Sequence, residues 1–374
     1  MKKVLFVATV TGHINVFHLP YLKLFKDEGY EVHVVTGDDK KVKLYCDKKM
    51  NIGIKRNPFA IQNIKAILNL KKIIIAEKYD IIHCHTPMGG VVARLASKKA
   101  RKKYGTRVIY TAHGFHFFKG SSIKNWLLFY PIEKYLSKYC DTLITINKED
   151  YELAKKKFSS RCLDIRYVPG VGIDSSRFNF EMTKKEKNAL RKSLNLKSDD
   201  FVLIFPARLD KNKNQMFLIE CMKQLIKKYN NIHLLLPGKD ELNGFYQEKA
   251  KEKCVGNNIH FLGSRSDVPK LLKISNIAVS SSLREGLPVN VMEAFICKLP
   301  VIALNCRGMS DLIKDTENGY LININDKNKI ELFVNRVDLL YNNKELYNKI
   351  VSNTSTSVYD VEYIKKEMKK IYFD

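Results

Sequence analysis

Apolar residues in this chain fall into short continuous runs, separated by stretches in which apolar positions recur every three or four residues. Val4–Thr9, Glu31–Thr36, Asp80–His85, Arg107–Ala112, Thr142–Ile146 and Arg166–Val168 read as buried strands. Between them Val16–Asp27, Ile61–Glu77, Gly90–Tyr104, Ile123–Tyr139 and Lys148–Phe158 carry the helical period. Repeated βα units of this kind predict a parallel sheet covered on both faces, with ligands at the carboxyl ends of its strands. Pro169-Gly170-Val171-Gly172 then breaks the pattern. A second series follows, with strands Phe201–Pro206, His233–Leu236, Ile259–Leu262, Ile277–Ser280, Pro300–Ala303 and Tyr320–Ile322. Its helices are expected at Gln215–Lys228, Tyr246–Val255, Val268–Ile274, Val289–Cys297 and Met309–Lys314. The tail Lys329–Tyr372 is helical in pattern with polar breaks, and no short-period repeat is evident.

The chain has 374 residues, the size of two domains. The boundaries expected are 1–168 for the first and 169–356 for the second, with 357–374 as a final segment. No apolar run approaches the roughly 18 residues that a membrane helix needs. The opening MKKVLFVATVTGH resembles a leader for a few residues, but its apolar run stops at Thr11-Gly12-His13 without a small-residue cleavage site. It reads as a first strand, and a cytoplasmic location is expected. The eight cysteines form no C-x-x-C pair and several lie in apolar surroundings, which points to reduced packing residues rather than to zinc or disulfides. With 65 basic against 39 acidic residues, the net charge is +26. Such a charge attracts polyanions: nucleic acid, anionic lipid or a phosphate-bearing substrate.

Chemistry concentrates in Ser280–Ala294, SSSLREGLPVNVMEA. Glu285 and Glu293 stand at an E-x7-E spacing around the turn Gly286-Leu287-Pro288. Pro288 beside the start of the next helix costs no hydrogen bond there, and a helix N-terminus attracts anions. One carboxylate in the loop and one about two turns into the helix suit a ligand with hydroxyls at both ends and phosphate between, the shape of a nucleotide-sugar. Arg208 and Lys213 in ARLDKNK follow the strand Phe201–Pro206, where two cations neutralise a diphosphate; the plain alternative is a solvated lysine-rich loop. Arg265, in FLGSRSDV, has a guanidinium plane suited to stacking on a base, and Asp267 is placed to cap the following helix. His113, in TAHGFHFF, follows the strand Arg107–Ala112, while His116 reads as a surface residue. Thr11, Gly12 and His13 form a turn after the first strand, with His18 beyond it.

Lys98–Lys103 is a basic run, and Ile123–Tyr139 is rich in aromatics; together they suit contact with an anionic membrane surface. The plain alternative is a core-facing helix beside a solvated charged face. No nucleic-acid-binding signature accompanies the charge, so no nucleic-acid partner is expected. The paired aspartates Asp38-Asp39 and Asp199-Asp200 sit at turns, and no metal is expected.

The donor-site string, ARLDKNK and FLGSRSDV together resemble the retaining, family-4 glycosyltransferases of the GT-B fold. The strings HINVFHLPYLK, HCHTPMGG, TAHGFHFF and LITINKEDY resemble the subgroup that builds capsule and exopolysaccharide in bacteria. The resemblance spans nearly the whole chain. It implies an α/β fold of two Rossmann-like domains facing across a cleft, with the last helix, Val361–Tyr372, crossing back to the first domain. It implies transfer of a sugar from a UDP-sugar to a polyprenyl-diphosphate-linked saccharide, with retention, no required cofactor, and a peripheral position on the inner face of the cytoplasmic membrane. Arg208 and Lys213 would hold the diphosphate, Glu285 the donor sugar, Glu293 the ribose, Arg265 the base, and His113 the sugar or its phosphates. Gly286, Leu287 and Pro288 would complete the donor loop. Thr11, Gly12 and His13 would form an acceptor-side or phosphate loop, with His18 a further acceptor-side candidate. The family shows a Gly-Gly turn where this chain has Gly12 alone, which puts individual contacts of that loop in question. Alternatives within the same fold are a phospholipid-directed transferase and a UDP-sugar epimerase. A non-catalytic polyanion-binding protein is the alternative from a different class, and it predicts salt-dependent binding that survives loss of Glu285.

Overall fold

The computed structural model describes residues 1–354 and 357–374. It divides into two compact units, Met1–Gly172 with Val361–Asp374, and Ile173–Asp360. The first break thus falls four residues beyond the expected position, at the end of the Pro-Gly-Val-Gly segment. Gly170 and Gly172 there take φ of 92° and 80°, a region that glycine enters without strain. The expected second boundary, at 356/357, touches residues outside those described.

In the first unit, β1 (Lys3–Val7), β2 (Glu31–Thr36), β3 (Lys48–Asn51), β4 (Ile81–His85), β5 (Arg107–Ala112), β6 (Thr142–Thr145) and β7 (Asp164–Tyr167) form one sheet. Its order is β3-β2-β1-β4-β5-β6-β7, with every pairing parallel. Chain order reverses between β1 and β4, which opens a crevice at their carboxyl ends. One face packs Leu5, Val7, Ile82 and Val108 beneath helices, whose Val92 joins the same cluster. The other packs Val4, Phe6 and Ile109 against Tyr21, Phe25, Ile364, Met368 and Tyr372. The last three belong to the C-terminal helix Val361–Phe373, which therefore returns to this unit. Each such buried side chain contributes roughly 1.5–3 kcal/mol. The Tyr372 hydroxyl reaches His83 Nδ1 at 2.7 Å and fixes the helix to β4.

The second unit repeats the plan. β8 (Phe201–Ile204), β9 (Ile232–Pro237), β10 (Ile259–Gly263), β11 (Ile277–Ser280), β12 (Val301–Asn305) and β13 (Gly319–Asn323) run parallel in the order β10-β9-β8-β11-β12-β13. The reversal here lies between β8 and β11.

Several expected elements change. The helix expected from Val16 starts at Thr11 and breaks at His18, so Thr11-Gly12-His13 is the first turn of a helix, Thr11–Phe17, rather than a free turn. The helix expected at Gly90–Tyr104 is two, Pro87–Ala96 and Lys98–Tyr104. β3 is a polar edge strand with no apolar run to announce it. Helix Lys184–Ser193 buries no side chain but opens on a capping box between Thr183 and Glu186. The eight cysteines are free thiols; only Cys254 is exposed. No helix of the described residues is long and apolar enough to cross a membrane.

Candidate functional site

In the second unit, the loops after β8 and β11 are stitched together. The first runs from Pro206 to Lys213 before helix Gln215–Lys228. Lys213 N–H donates to Asp210 Oδ1 at 2.8 Å, and Gln215 Nε2 donates to the Arg208 carbonyl at 2.7 Å. The loop after β11 is tied to it by Ser281 Oγ donating to the Lys213 carbonyl at 2.7 Å and Asn212 Nδ2 donating to the Arg284 carbonyl at 3.0 Å. Within this frame Lys213 Nζ lies 2.5 Å from Glu285 Oε1, with both side chains largely screened from solvent. Arg307 Nε holds the Glu285 carbonyl at 3.2 Å.

The start of the first loop, through Arg208, lines a cavity of about 530 Å³ together with Arg177, Gly238, Lys239, Arg265 and Glu293, among others. The structure therefore gathers Arg208, Arg265 and Glu293, far apart in sequence, around one space. Arg208 is mostly exposed and lies 3.2 Å from Asp210. Glu293 projects from helix Val289–Ile296, whose N-cap is Pro288. Burial pushes its carboxyl up to about 7 against the pull of Arg177. Arg265 donates to both Asp267 oxygens at 2.8 and 2.7 Å. Asp267 is the N-cap residue by position, but its side chain accepts no hydrogen bond from the helix. The expected capping role is thus replaced by holding Arg265, whose charge lowers the Asp267 pKa. Gly286, Leu287 and Pro288 lie between the two carboxylates, as their sequence position requires.

Sequence reasoning missed Arg177, Gly238, Lys239, Arg307 and Gly308. The signals available were the Pro237-Gly238 and Arg307-Gly308 dipeptides just past β9 and β12. Gly238 is required by close approach, because a Cβ there would lie 1.8 Å from the Ala207 carbonyl oxygen. Gly308 has φ +81°, and its Cβ would lie 2.2 Å from the Gly286 carbonyl oxygen. Gly308→Ala is expected to lower the unfolding free energy by about 2 kcal/mol, since strain adds to a clash with backbone. Gly263→Ala has φ +63° but nothing within 4 Å of the new methyl. It should cost about 1 kcal/mol from backbone strain alone. Urea titration of both variants checks the order.

In the first unit, His13 Nε2 lies 3.2 Å from His113 Nε2. Burial drives His13 down to about 4 and His113 well below the ordinary histidine range, so both rings are neutral at physiological pH. Thr11 is committed elsewhere: its N–H and hydroxyl both donate to Asp38. A Cβ added at Gly12 would meet open space, and His18 is buried. His116 lies beside Phe129, with ring centroids 4.7 Å apart. His13, Thr9, Thr86 and Phe115 share a largely apolar cavity of about 610 Å³ with Phe59, Leu128, Phe129 and Ile132. Helix Ile123–Leu136 buries Glu133 and Leu136 and turns Ile123, Leu127, Leu128, Ile132 and Tyr135 to solvent. It is anchored by Glu133, paired at 2.9 Å with the buried Arg94. Its other side faces the core, where Trp126, Phe129 and Tyr130 pack against the buried cluster, so the core-facing reading holds for that side.

Comparison with known proteins gives one consistent result. The family model for glycosyl transferases group 1 matches residues 186–356, and that for glycosyl transferase 4-like proteins matches residues 3–147. EpsD of Bacillus subtilis (strain 168), assigned by name to the glycosyltransferases, is 44% identical over 351 residues, covering 93% of this chain and 90% of its own. The UDP-Gal:alpha-D-GlcNAc-diphosphoundecaprenol alpha-1,3-galactosyltransferase of Escherichia coli is 27% identical over 367 residues, covering 95% and 92%. The crystal structure of HepE of Anabaena in complex with UDP and glucose superposes with a TM-score of 0.77 at 20% identity, covering 99% of each chain.

Proposed function

This chain belongs to the group 1, family-4-like glycosyltransferases of the GT-B fold, and we propose that it transfers a sugar from a UDP-sugar to a polyprenyl-diphosphate-linked saccharide in the synthesis of a bacterial capsule or exopolysaccharide. The observation that carries this reading is the meeting of Arg208, Arg265 and Glu293 around one cavity, with Lys213, on the same loop as Arg208, paired to Glu285. The E. coli relative's name supplies the acceptor class, a sugar diphosphoundecaprenol, and HepE was crystallised with UDP.

Arg208 and Lys213 take the diphosphate and stabilise the departing UDP. Glu285 exchanges part of its pairing with Lys213 for donor-sugar hydroxyls. Glu293 accepts from the ribose hydroxyls, and Arg265, held flat by Asp267, stacks on uracil. His113 has the family role of touching the sugar or its phosphates. The bond from the anomeric carbon to the β-phosphate breaks on the face where the acceptor hydroxyl attaches, and the acceptor proton passes to the leaving phosphate, so configuration is retained. In this reading Arg208 and Lys213 supply the two cations that the diphosphate takes, and no metal is assigned to it. The outward apolar stripe Ile123–Tyr135 and the basic run Lys98–Lys103 favour a peripheral seat on an anionic cytoplasmic membrane face. The largely apolar cavity bordered by Leu128 and Ile132 is the space in the first unit that we assign to a lipid-linked acceptor.

Calorimetry with UDP, GDP and ADP tests the donor assignment. Wild type should bind UDP selectively, and Glu293→Ala should weaken it about ten- to a hundredfold, the loss of a charge-assisted hydrogen bond. Equal binding of all three nucleotides, unaffected by the substitution, would refute the donor site. A polyprenyl-diphosphate saccharide tried beside a short phospholipid acceptor then separates the two acceptor classes.

A further inference from the structure

We propose that His13, His18, His85 and His113 form a binding site for one divalent transition-metal ion of the zinc class. The four rings converge at the reversal between β1 and β4, and one ligand nitrogen of each lies within 4.8 Å of all the others. His85 ends β4, His113 follows β5, and His13 and His18 follow β1 on either side of the helix break. The His13 and His113 nitrogens, 3.2 Å apart, already stand at about the 3.3 Å separation that two ligands of a tetrahedral zinc require. The His18 and His85 rings stack beside them with centroids 3.7 Å apart, and must turn out of that stack for both to point a nitrogen at one ion.

The second observation is an unmet need. His18 and His85 are buried at 2% and 0% exposure, and neither nitrogen of either ring has a hydrogen-bond partner. Buried imidazoles elsewhere in this unit differ. His83, two residues from His85, gives Nε2 to Thr111 and Nδ1 to Tyr372, both within 2.8 Å. His33 uses Tyr79 and Glu31. A buried polar group without a partner costs about 1–3 kcal/mol, and two adjacent rings carry four such nitrogens. An ion takes one from each. Donor chemistry fixes the class, because imidazole-only sets suit zinc, cobalt, nickel and copper, whereas magnesium and calcium want oxygen. Sequence spacing did not disclose this site; the only metal candidates there were aspartate pairs at turns. His13 also borders the apolar cavity, so the ion would stand at that cavity's wall.

The test is metal retention, read with neither donor nor acceptor present, so that its outcome does not depend on transfer. Full-length protein is loaded with Zn²⁺ or Co²⁺, gel-filtered and analysed for metal, and the Co²⁺ form is read by its visible absorption. Wild type should retain one ion per chain with the intense bands of a four-coordinate nitrogen site. His13→Ala removes a partly exposed ligand and should weaken binding more than about a hundredfold, beyond the usual cost of losing an outer-shell partner. His116→Ala, a neighbouring histidine outside the cluster, should leave retention unchanged. His85→Ala should abolish retention; if it fails to fold, His13→Ala decides. The proposal falls if wild type retains no metal, or if His13→Ala keeps the wild-type affinity and spectrum.

Discussion

Replacing Lys213 with alanine is expected to lower kcat/KM for sugar transfer about a hundred- to a thousandfold, the usual cost of deleting one preorganised partner of a developing negative charge. The loop leaves Lys213 little freedom. Its N–H is held by Asp210, its carbonyl by Ser281, and its ammonium by Glu285 at 2.5 Å. A cation fixed this way needs no reorganisation when charge moves onto the leaving diphosphate. The substitution also leaves Glu285 without its partner, so the remaining carboxylate repels the incoming phosphates. Lys211, two residues away and exposed, is the control; Lys211→Ala should stay within about twofold of wild type, as expected of a charge in high dielectric. Steady-state transfer rates, with melting curves to confirm folding, decide the matter. Equal rates for the two variants would remove Lys213 from the diphosphate site.

The strands were legible because a sheet covered on both faces needs continuous apolar runs, and Val202–Phe205 or Ile277–Val279 have no other use. β3, whose residues are Lys, Lys, Met and Asn, was not legible, since an edge strand buries little. Helix Lys184–Ser193 was missed for a related reason: it has no apolar face, and only its capping box marked it. The candidate donor residues stood out because they sit at strand ends in compact strings. Their pairings did not: Asp267 holds Arg265 instead of the helix, and Thr11 spends its donors on Asp38. Four histidines spread over a hundred residues carry no local signal. Only the parallel topology, which brings the ends of β1, β4 and β5 together, gathers them.

Glu293→Gln is expected to make the ligand-free protein more stable near pH 8 while weakening its hold on UDP. The Glu293 carboxyl is raised from 4.5 to about 7 by burial, so the fold prefers it protonated. A group raised on folding contributes its full stability below its unfolded pKa. That contribution declines as pH rises from about 4.5 and is lost once pH passes about 7, where the buried carboxylate must ionise. The difference between those limits is on the order of 3 kcal/mol. Glutamine has nearly the same shape and cannot ionise, so the variant should melt higher than wild type near pH 8 and alike near pH 4. Binding runs the other way. A ribose hydroxyl donates more strongly to a carboxylate than to an amide oxygen, so UDP affinity should fall about ten- to a hundredfold. UDP should also favour the ionised carboxylate, so its binding to wild type releases protons near pH 6, measurable as a buffer-dependent heat that Glu293→Gln lacks. A variant that melts like wild type at both pH values would mean that Glu293 is not held in a dry site. A variant that is stabilised but binds UDP normally would place the ribose elsewhere in the cavity. Stabilisation coupled to weaker binding is the outcome that identifies Glu293 as a carboxylate kept buried, against the preference of the fold, for its ligand.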